Sequence, residues 1–128
     1  MYHKDLEAWK KSIELVTKVY SEVKNFPEDE RFGLISQIKR AAISIPSNIA
    51  EGAARFSNKE MLRFLDISVG SLAELETQFI IAENLGYLKN FELYEDFKEI
   101  YAIISGLKKY LLKKLKTSDP SITSPLNH

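Results

Sequence analysis

The chain has 128 residues, of which 45% are apolar and 28% are charged, a balance typical of one soluble globular domain rather than of a disordered chain. The formal net charge is zero, which excludes a protein that coats nucleic acid through a strong overall positive field. The absence of cysteine excludes a disulfide framework and a thiolate metal site. The opening residues lack the apolar run of a signal peptide, and no apolar run approaches the ~20 residues of a membrane span. We therefore expect a cytoplasmic protein with no membrane partner.

The charges are distributed unevenly along the chain. Residues 31–63 carry six basic and two acidic groups, residues 64–100 carry two basic and eight acidic groups, and residues 101–116 carry five lysines and no acid. One interpretation of this distribution is that the charges lie on solvent-exposed helix faces, with positive and negative faces alternating along the chain. The alternative is a local basic patch that binds RNA. Its candidate residues are Arg31, Lys39, Arg40, Arg55, Lys59 and Arg63, or Lys108, Lys109 and Lys113 in the lysine-rich segment.

Four segments have the apolar periodicity of amphipathic helices. Their predicted ranges are 4–24, 30–55, 58–85 and 91–116. In the first segment the pattern predicts a narrow buried seam. Its members are Leu6, Trp9, Ile13, Val16, Tyr20 and Val23.

Local signals separate these helices. Pro27 ends the first, Ser57 with Glu60 forms a capping box for the third, and Gly86 fits the left-handed position that closes it. Asn90 is a candidate N-cap for the fourth helix. Short connections of this kind predict an all-α, up-down-up-down antiparallel four-helix bundle over residues 1–116, followed by a flexible tail, 117–128.

Two small residues interrupt the helical patterns. Pro46 lies inside the second apolar stripe, where the helix must either break or continue with a kink. We favour the kink because the stripe keeps its phase across the proline. Gly70 lies in the middle of the third helix and indicates a close approach by a neighbouring backbone.

A polar stripe accompanies Pro46 on the second helix. If the second and third helices form a hairpin that turns near Ser57, facing residue numbers sum to about 115. The predicted pairs are Arg55 with Glu60, Glu51 with Arg63, Asn48 with Ser68, Ser44 with Ser71, and Arg40 with Glu74. The stripe is then either a structural network that fixes the register of the hairpin, or a recognition surface, or a catalytic site.

The same stretch carries a family resemblance. The string SIPSNIAEG at 44–52, with VGSLAELETQ at 69–78, FGLISQIKRAA at 32–42 and the opening YHKDLEAWKKSIELV, resembles the four-helix-bundle proteins of the 23S rRNA intervening-sequence family. The resemblance covers residues 2 to about 115. The matching positions of the polar network and family motif are Arg40, Ser44, Pro46, Asn48, Glu51, Gly52, Arg55, Gly70, Ser71, Glu74 and Glu76.

The resemblance implies a closed bundle that assembles into a ring, a homopentamer, without established enzymatic activity. Some family members are encoded within insertions in bacterial 23S rRNA genes. Related accessory proteins of diversity-generating retroelements pair with a reverse transcriptase and bind nucleic acid. Those accessory proteins are strongly basic, whereas this chain is neutral.

Catalytic constellations are missing from the sequence. The two histidines, His3 and His128, stand at the ends of the chain, so a serine nucleophile has no base in the predicted bundle. The Glu-x-x-His pairs of di-iron bundles are absent, as is a glycine-rich phosphate loop. We expect no enzyme, no cofactor, no metal and no small-molecule substrate.

Residues 79–82 make the third helix apolar on all sides, and on the fourth helix Tyr94, Tyr101, Ile103 and Tyr110 lie outside the main seam. They are either ordinary surface residues or an interface with another subunit, and we favour the interface. The candidate interface residues are Phe79, Ile80, Tyr94, Tyr101 and Tyr110. The sequence thus leads to two functional hypotheses: a non-catalytic homo-oligomeric scaffold that binds a protein or RNA, and a specific RNA-binding protein that acts on rRNA or a retroelement transcript.

Overall fold

The structure, a computed structural model, describes residues 1–118. Its α-helices are α1 (Glu7–Val23), α2 (Leu34–Ala54), α3 (Asn58–Asn84) and α4 (Leu93–Ser118). Short 3-10 turns at His3–Asp5 and Glu28–Glu30 precede α1 and α2. Of the predicted tail, residues 117 and 118 belong to α4, and residues 119–128 lie outside the described part of the chain.

The four helices form a closed square in cross-section. α1 packs against α2, α2 against α3, α3 against α4, and α4 against α1. This arrangement confirms the predicted all-α four-helix bundle. Within residues 1–118 no helix is both long enough and apolar enough to cross a membrane.

The core runs along the axis of the bundle, and aromatic rings fill one end of it. Phe79 of α3 lies between Phe26 and Phe97, with ring centroids 6.3 and 5.8 Å away and near edge-to-face geometry. Phe79 is 1% exposed. Its prediction as an interface residue is therefore wrong, because its side chain is already buried within its own chain.

The predicted seam of α1 is rotated relative to the observed one. The buried apolar residues of α1 are Ala8, Leu15, Val19 and Val23. Ile13 is 40% exposed, and Trp9, Val16 and Tyr20 are half-buried. The helix therefore has two apolar stripes, and the one with the larger side chains lies at the surface of the bundle.

The helix boundaries follow local chemistry. Ser57 Oγ accepts a hydrogen bond from the Glu60 amide (3.2 Å), which confirms the cap of α3. Gly86 has φ +78°, the left-handed conformation predicted for the end of that helix. α4 begins at Leu93, two residues later than predicted, so Asn90 is not its N-cap. Asn90 Oδ1 instead accepts from the Glu92 amide (2.8 Å) in the turn before the helix. The carboxylate of buried Glu22 accepts from the amides of residues 89 and 90 and holds this loop against α1.

α2 continues through Pro46, which confirms that the helix does not break there, and the kink stays a prediction. The close approach between α2 and α3 occurs at Gly52 rather than at Gly70. A Cβ atom at Gly52 would lie 2.7 Å from the Cβ of Phe64, whereas a Cβ at Gly70 would have no neighbour within 4 Å. The prediction for Gly70 is wrong because its open side faces solvent.

Candidate interaction surfaces

A polar network joins α2 to α3 next to Pro46. The hydroxyls of Ser44 and Ser71 share a hydrogen bond of 2.7 Å, which confirms the predicted pair and the register of the hairpin. Asn48 Nδ2 donates to the carbonyl (2.8 Å) and hydroxyl (2.9 Å) oxygens of Ser44. The fully buried Ser68 donates to the carbonyl of Ile45 (3.0 Å).

The predicted pair of Asn48 with Ser68 is therefore wrong. Asn48 turns back along its own helix, and Ser68 reaches a backbone carbonyl instead. Both acceptor carbonyls lie within two residues of Pro46, whereas the carbonyl that the missing proline amide leaves without its helical donor is that of Ala42, four residues earlier. The network thus joins α2 to α3 beside the proline.

Charged side chains surround the α2–α3 turn. Arg55 pairs with Glu51 (3.0 Å) and Arg63 with Glu60 (3.2 Å), each within its own helix. Both guanidinium groups lie over the ring of Phe64, at 5.2 Å for Arg55 and 4.4 Å for Arg63. The hydrogen bond from Arg63 lowers the pKa of the Glu60 carboxyl.

The predicted proximity across the hairpin is confirmed: the Arg55 charge helps to lower the pKa of the Glu60 carboxyl, and the Glu51 charge helps to raise the pKa of Arg63. The ion pairs themselves form within each helix. Partners three or four residues away on the same helix are closer, and Phe64 attracts both cations to its ring.

Arg40 and Glu74 do not meet in the structure. Both side chains are exposed, and no hydrogen bond or ion pair joins them in the described chain. The prediction that they pair within one chain is wrong: their helices are held together by the serine contacts, and both charged groups point outward.

Tyrosine and carboxylate side chains bridge α3 and α4. The hydroxyl of Tyr94 donates to Glu83 (2.9 Å), and Tyr101 lies beside Glu76. Partial burial, followed by the adjacent carboxylate, raises the pKa of both phenols. Further along, Lys108 pairs with Asp66. These two tyrosines are therefore half-buried contacts within the chain.

The other interface candidates lie on the surface. Ile80 is 46% exposed and Tyr110 is 51% exposed, so both have area to offer another molecule. Their role as interface residues stays a prediction.

The candidate RNA-binding residues do not gather on one face. Arg31 stacks on Phe32 in the loop between α1 and α2, Lys39 lies 4.8 Å above the ring of Tyr20, and Arg63 belongs to the α2–α3 turn. Lys109 and Lys113 are exposed near the end of α4. Positive charge also gathers at the α2–α3 turn, where Arg55, Lys59 and Arg63 all act on the Glu60 carboxyl.

An apolar groove runs between α1 and α2. It has a volume of about 280 Å³, and its walls carry almost no polar surface. Its lining residues are Trp9, Ile13, Val16, Ile43, Pro46, Ser47 and Ala50. Ile43 is 45% exposed and Ile13 is 40% exposed. The sequence pattern does not reveal this groove, because the outer stripe of α1 has the same periodicity as a core seam.

The described residues contain no group of three or more histidine, aspartate or glutamate side chains placed to hold a metal ion. The α1–α2 groove is lined almost entirely by apolar side chains, and its chemistry suits binding to an apolar partner.

The comparisons with known proteins agree with the fold. A solved structure from Bacteroides thetaiotaomicron VPI-5482, a protein of unknown function from the S23 ribosomal protein family, is 23% identical, with a TM-score of 0.57 over 85% of this chain and 98% of that chain. No curated protein sequence matches the chain. The model of the family described as 23S rRNA-intervening sequence protein matches residues 4–113. The chain belongs to the 23S rRNA-intervening sequence protein family.

Proposed function

We propose that the protein is a non-catalytic, cytoplasmic, homo-oligomeric scaffold whose assembled surface binds a partner protein, an RNA, or both. The observation that carries the proposal is the apolar α1–α2 groove. Its isoleucines, Ile13 and Ile43, are each at least 40% exposed beside the half-buried Trp9. Apolar patches of this kind, with an aromatic centre and a polar surround, are typical of protein interfaces.

The number of copies follows from the family resemblance, which implies a ring of five. A ring of one kind of chain uses two different surfaces of each copy. The groove is one such surface, because burial of its apolar area against a second copy is favourable by about 25 cal/mol per Å² before the costs of association.

Sedimentation velocity of a groove variant tests the proposal. Ile43→Glu places a charge in the groove and should convert the assembly to single chains. Phe32→Glu is the matched control, since Phe32 is 88% exposed in a loop away from the groove. An assembly of unchanged size in Ile43→Glu, with a folded circular dichroism spectrum, would contradict the role of the groove.

The second candidate function is specific binding to rRNA or a retroelement transcript. It is favoured by the end of α4, where Lys109, Lys113 and Lys116 line an open groove of about 620 Å³ together with Tyr110 and Leu112. Lysines beside an exposed aromatic ring can hold phosphates while a base stacks on the ring.

Filter binding to RNA at low and high salt tests this candidate. Retention at low salt that falls steeply as salt rises, and that is lost in Lys109→Glu/Lys113→Glu, supports it. Lys98→Glu is the control, because Lys98 is exposed on the first half of α4. If the filter retains no RNA at low salt, the RNA-binding function is excluded, and a protein is then the expected partner of the scaffold.

A further inference from the structure

We propose that the outer ridge of α3 in one copy docks in the α1–α2 groove of the next copy, and that Arg40 and Glu74 form an ion pair between copies. The proposal rests on the homo-oligomer proposed above and names the surfaces that meet.

The ridge consists of Ile67, Glu74 and Ile81. These residues are spaced seven apart and therefore share one face of α3. Ile67 is 40% exposed and Ile81 is 44% exposed. Ser71, which bonds to Ser44 of α2, lies next to this stripe, so the ridge borders the α2 side of the bundle. It presents two apolar side chains with one carboxylate between them.

The groove has the complementary character. Arg40 lies on α2 one turn before Ile43 and two turns before Ser47, both of which line the groove. It therefore places a positive charge at the rim of an apolar surface. An apolar ridge with a central carboxylate complements a groove of this composition in polarity and charge.

Arg40 and Glu74 are exposed charges without an ion-pair partner among the described residues. On two other sides of the bundle, charged groups pair across helices: Lys18 with Asp96 (3.2 Å) and Lys11 with Glu99 (3.2 Å) between α1 and α4, and Lys108 with Asp66 between α3 and α4. Across the α2–α3 side, no ion pair is present among the described residues. An exposed cation and an exposed anion on adjacent surfaces are then available to a second copy.

The placement of the two surfaces also fits a ring. The groove lies on the α1–α2 side of the square bundle, and the ridge lies toward the α2–α3 side. Interfaces on adjacent sides turn each copy by roughly a quarter turn relative to the last, which closes a ring of about four or five copies instead of extending a filament.

Charge reversal with rescue in trans tests the contact. Arg40→Glu and Glu74→Arg should each dissociate the assembly at micromolar concentration, because each places like charges opposite one another. Mixing the two single variants should restore association, since the carboxylate introduced into one chain then meets the guanidinium introduced into the other, with one mismatched contact left in a ring of five. The double variant Arg40→Glu/Glu74→Arg, in which every contact is matched, should restore the complete assembly. The Lys98→Glu variant is the matched surface control, and circular dichroism verifies that every variant is folded.

The outcomes separate the contact from the proposed function. If the wild-type chain assembles and both charge-reversal variants assemble equally well, the proposed contact is wrong, but the proposed scaffold function is not contradicted. If the wild-type chain is monomeric, the proposed homo-oligomeric function and the proposed contact are both wrong. If the double variant on one chain recovers its melting temperature but mixing the single variants restores no association, the pair lies within one chain and the proposal fails.

Discussion

At the scale of the residue, Gly52 determines how closely α2 and α3 approach. A side chain at this position would meet the Cβ of Phe64 at 2.7 Å and the sulfur of Met61 at 2.9 Å. Distances this short require movement of a side chain close to its backbone, which a packed core resists. Glycine is the residue that leaves the helix contact undisturbed here.

We expect Gly52→Ala to lower the free energy of unfolding by about 1–2 kcal/mol, because overpacking outweighs the helix propensity gained with alanine. Urea denaturation measures the change. Gly106→Ala is the matched control: a Cβ there has no neighbour within 4 Å, so the substitution should add up to about 1 kcal/mol. Equal effects of the two substitutions would contradict the close approach at Gly52.

Phe56 follows α2 with φ +52° and is 82% exposed. The left-handed conformation costs a residue with a side chain roughly 1–2 kcal/mol, and this ring gains little burial in return. Phe56→Gly should therefore raise the melting temperature by a few degrees, corresponding to about 1 kcal/mol. A lower melting temperature in differential scanning calorimetry would mean that the ring stabilises the turn by contacts that outweigh the strain.

At the scale of the element, the sequence predicts which residues of α2 and α3 face each other better than it predicts which face of α1 is buried. The turn at Ser57 and the antiparallel direction of the helices are sufficient to pair Ser44 with Ser71. Facing positions also predict which charges near the turn lie close together, but not which of them form ion pairs, because a long arginine side chain can reach a carboxylate on its own helix. The prediction of the buried stripe of α1 is wrong for a different reason. A helix with two apolar stripes has a periodicity that does not say which stripe faces the core.

The α3–α4 pair makes a prediction about pH. The pKa of Tyr94 is raised by partial burial and by the Glu83 carboxylate. The neutral phenol therefore stabilises the fold below the ordinary tyrosine pKa of about 10, and this contribution is lost as the pH rises above that value, because the unfolded chain loses its proton first.

We expect Tyr94→Phe to lower the free energy of unfolding by about 1 kcal/mol near pH 8, through loss of its hydrogen bond, and by clearly less near pH 11. Urea denaturation at both pH values measures the two differences. Glu83→Gln, which removes the charge beside the phenol, should weaken the pH dependence. A difference between wild type and Tyr94→Phe that is the same at both pH values would show that this phenol does not titrate as described.

At the scale of the whole molecule, the bundle and its family can be recognised from the sequence, while its surfaces cannot. The apolar patterns of α2, α3 and α4, together with their caps, specify a closed square of helices. Whether Trp9 and Ile13 face the core or the solvent depends on how α1 packs against its neighbours. That packing cannot be read from a single sequence. The α1–α2 groove is the consequence of that packing, and it is the basis of the proposed assembly.

Light scattering coupled to size exclusion tests the central claim, that this chain works as an assembly of identical bundles. At micromolar concentration we predict a mass several times the 14.7 kDa of one chain, with five copies expected. The mass should fall toward that of one chain in Ile43→Glu. A wild-type mass of 14.7 kDa under the same conditions would contradict the claim.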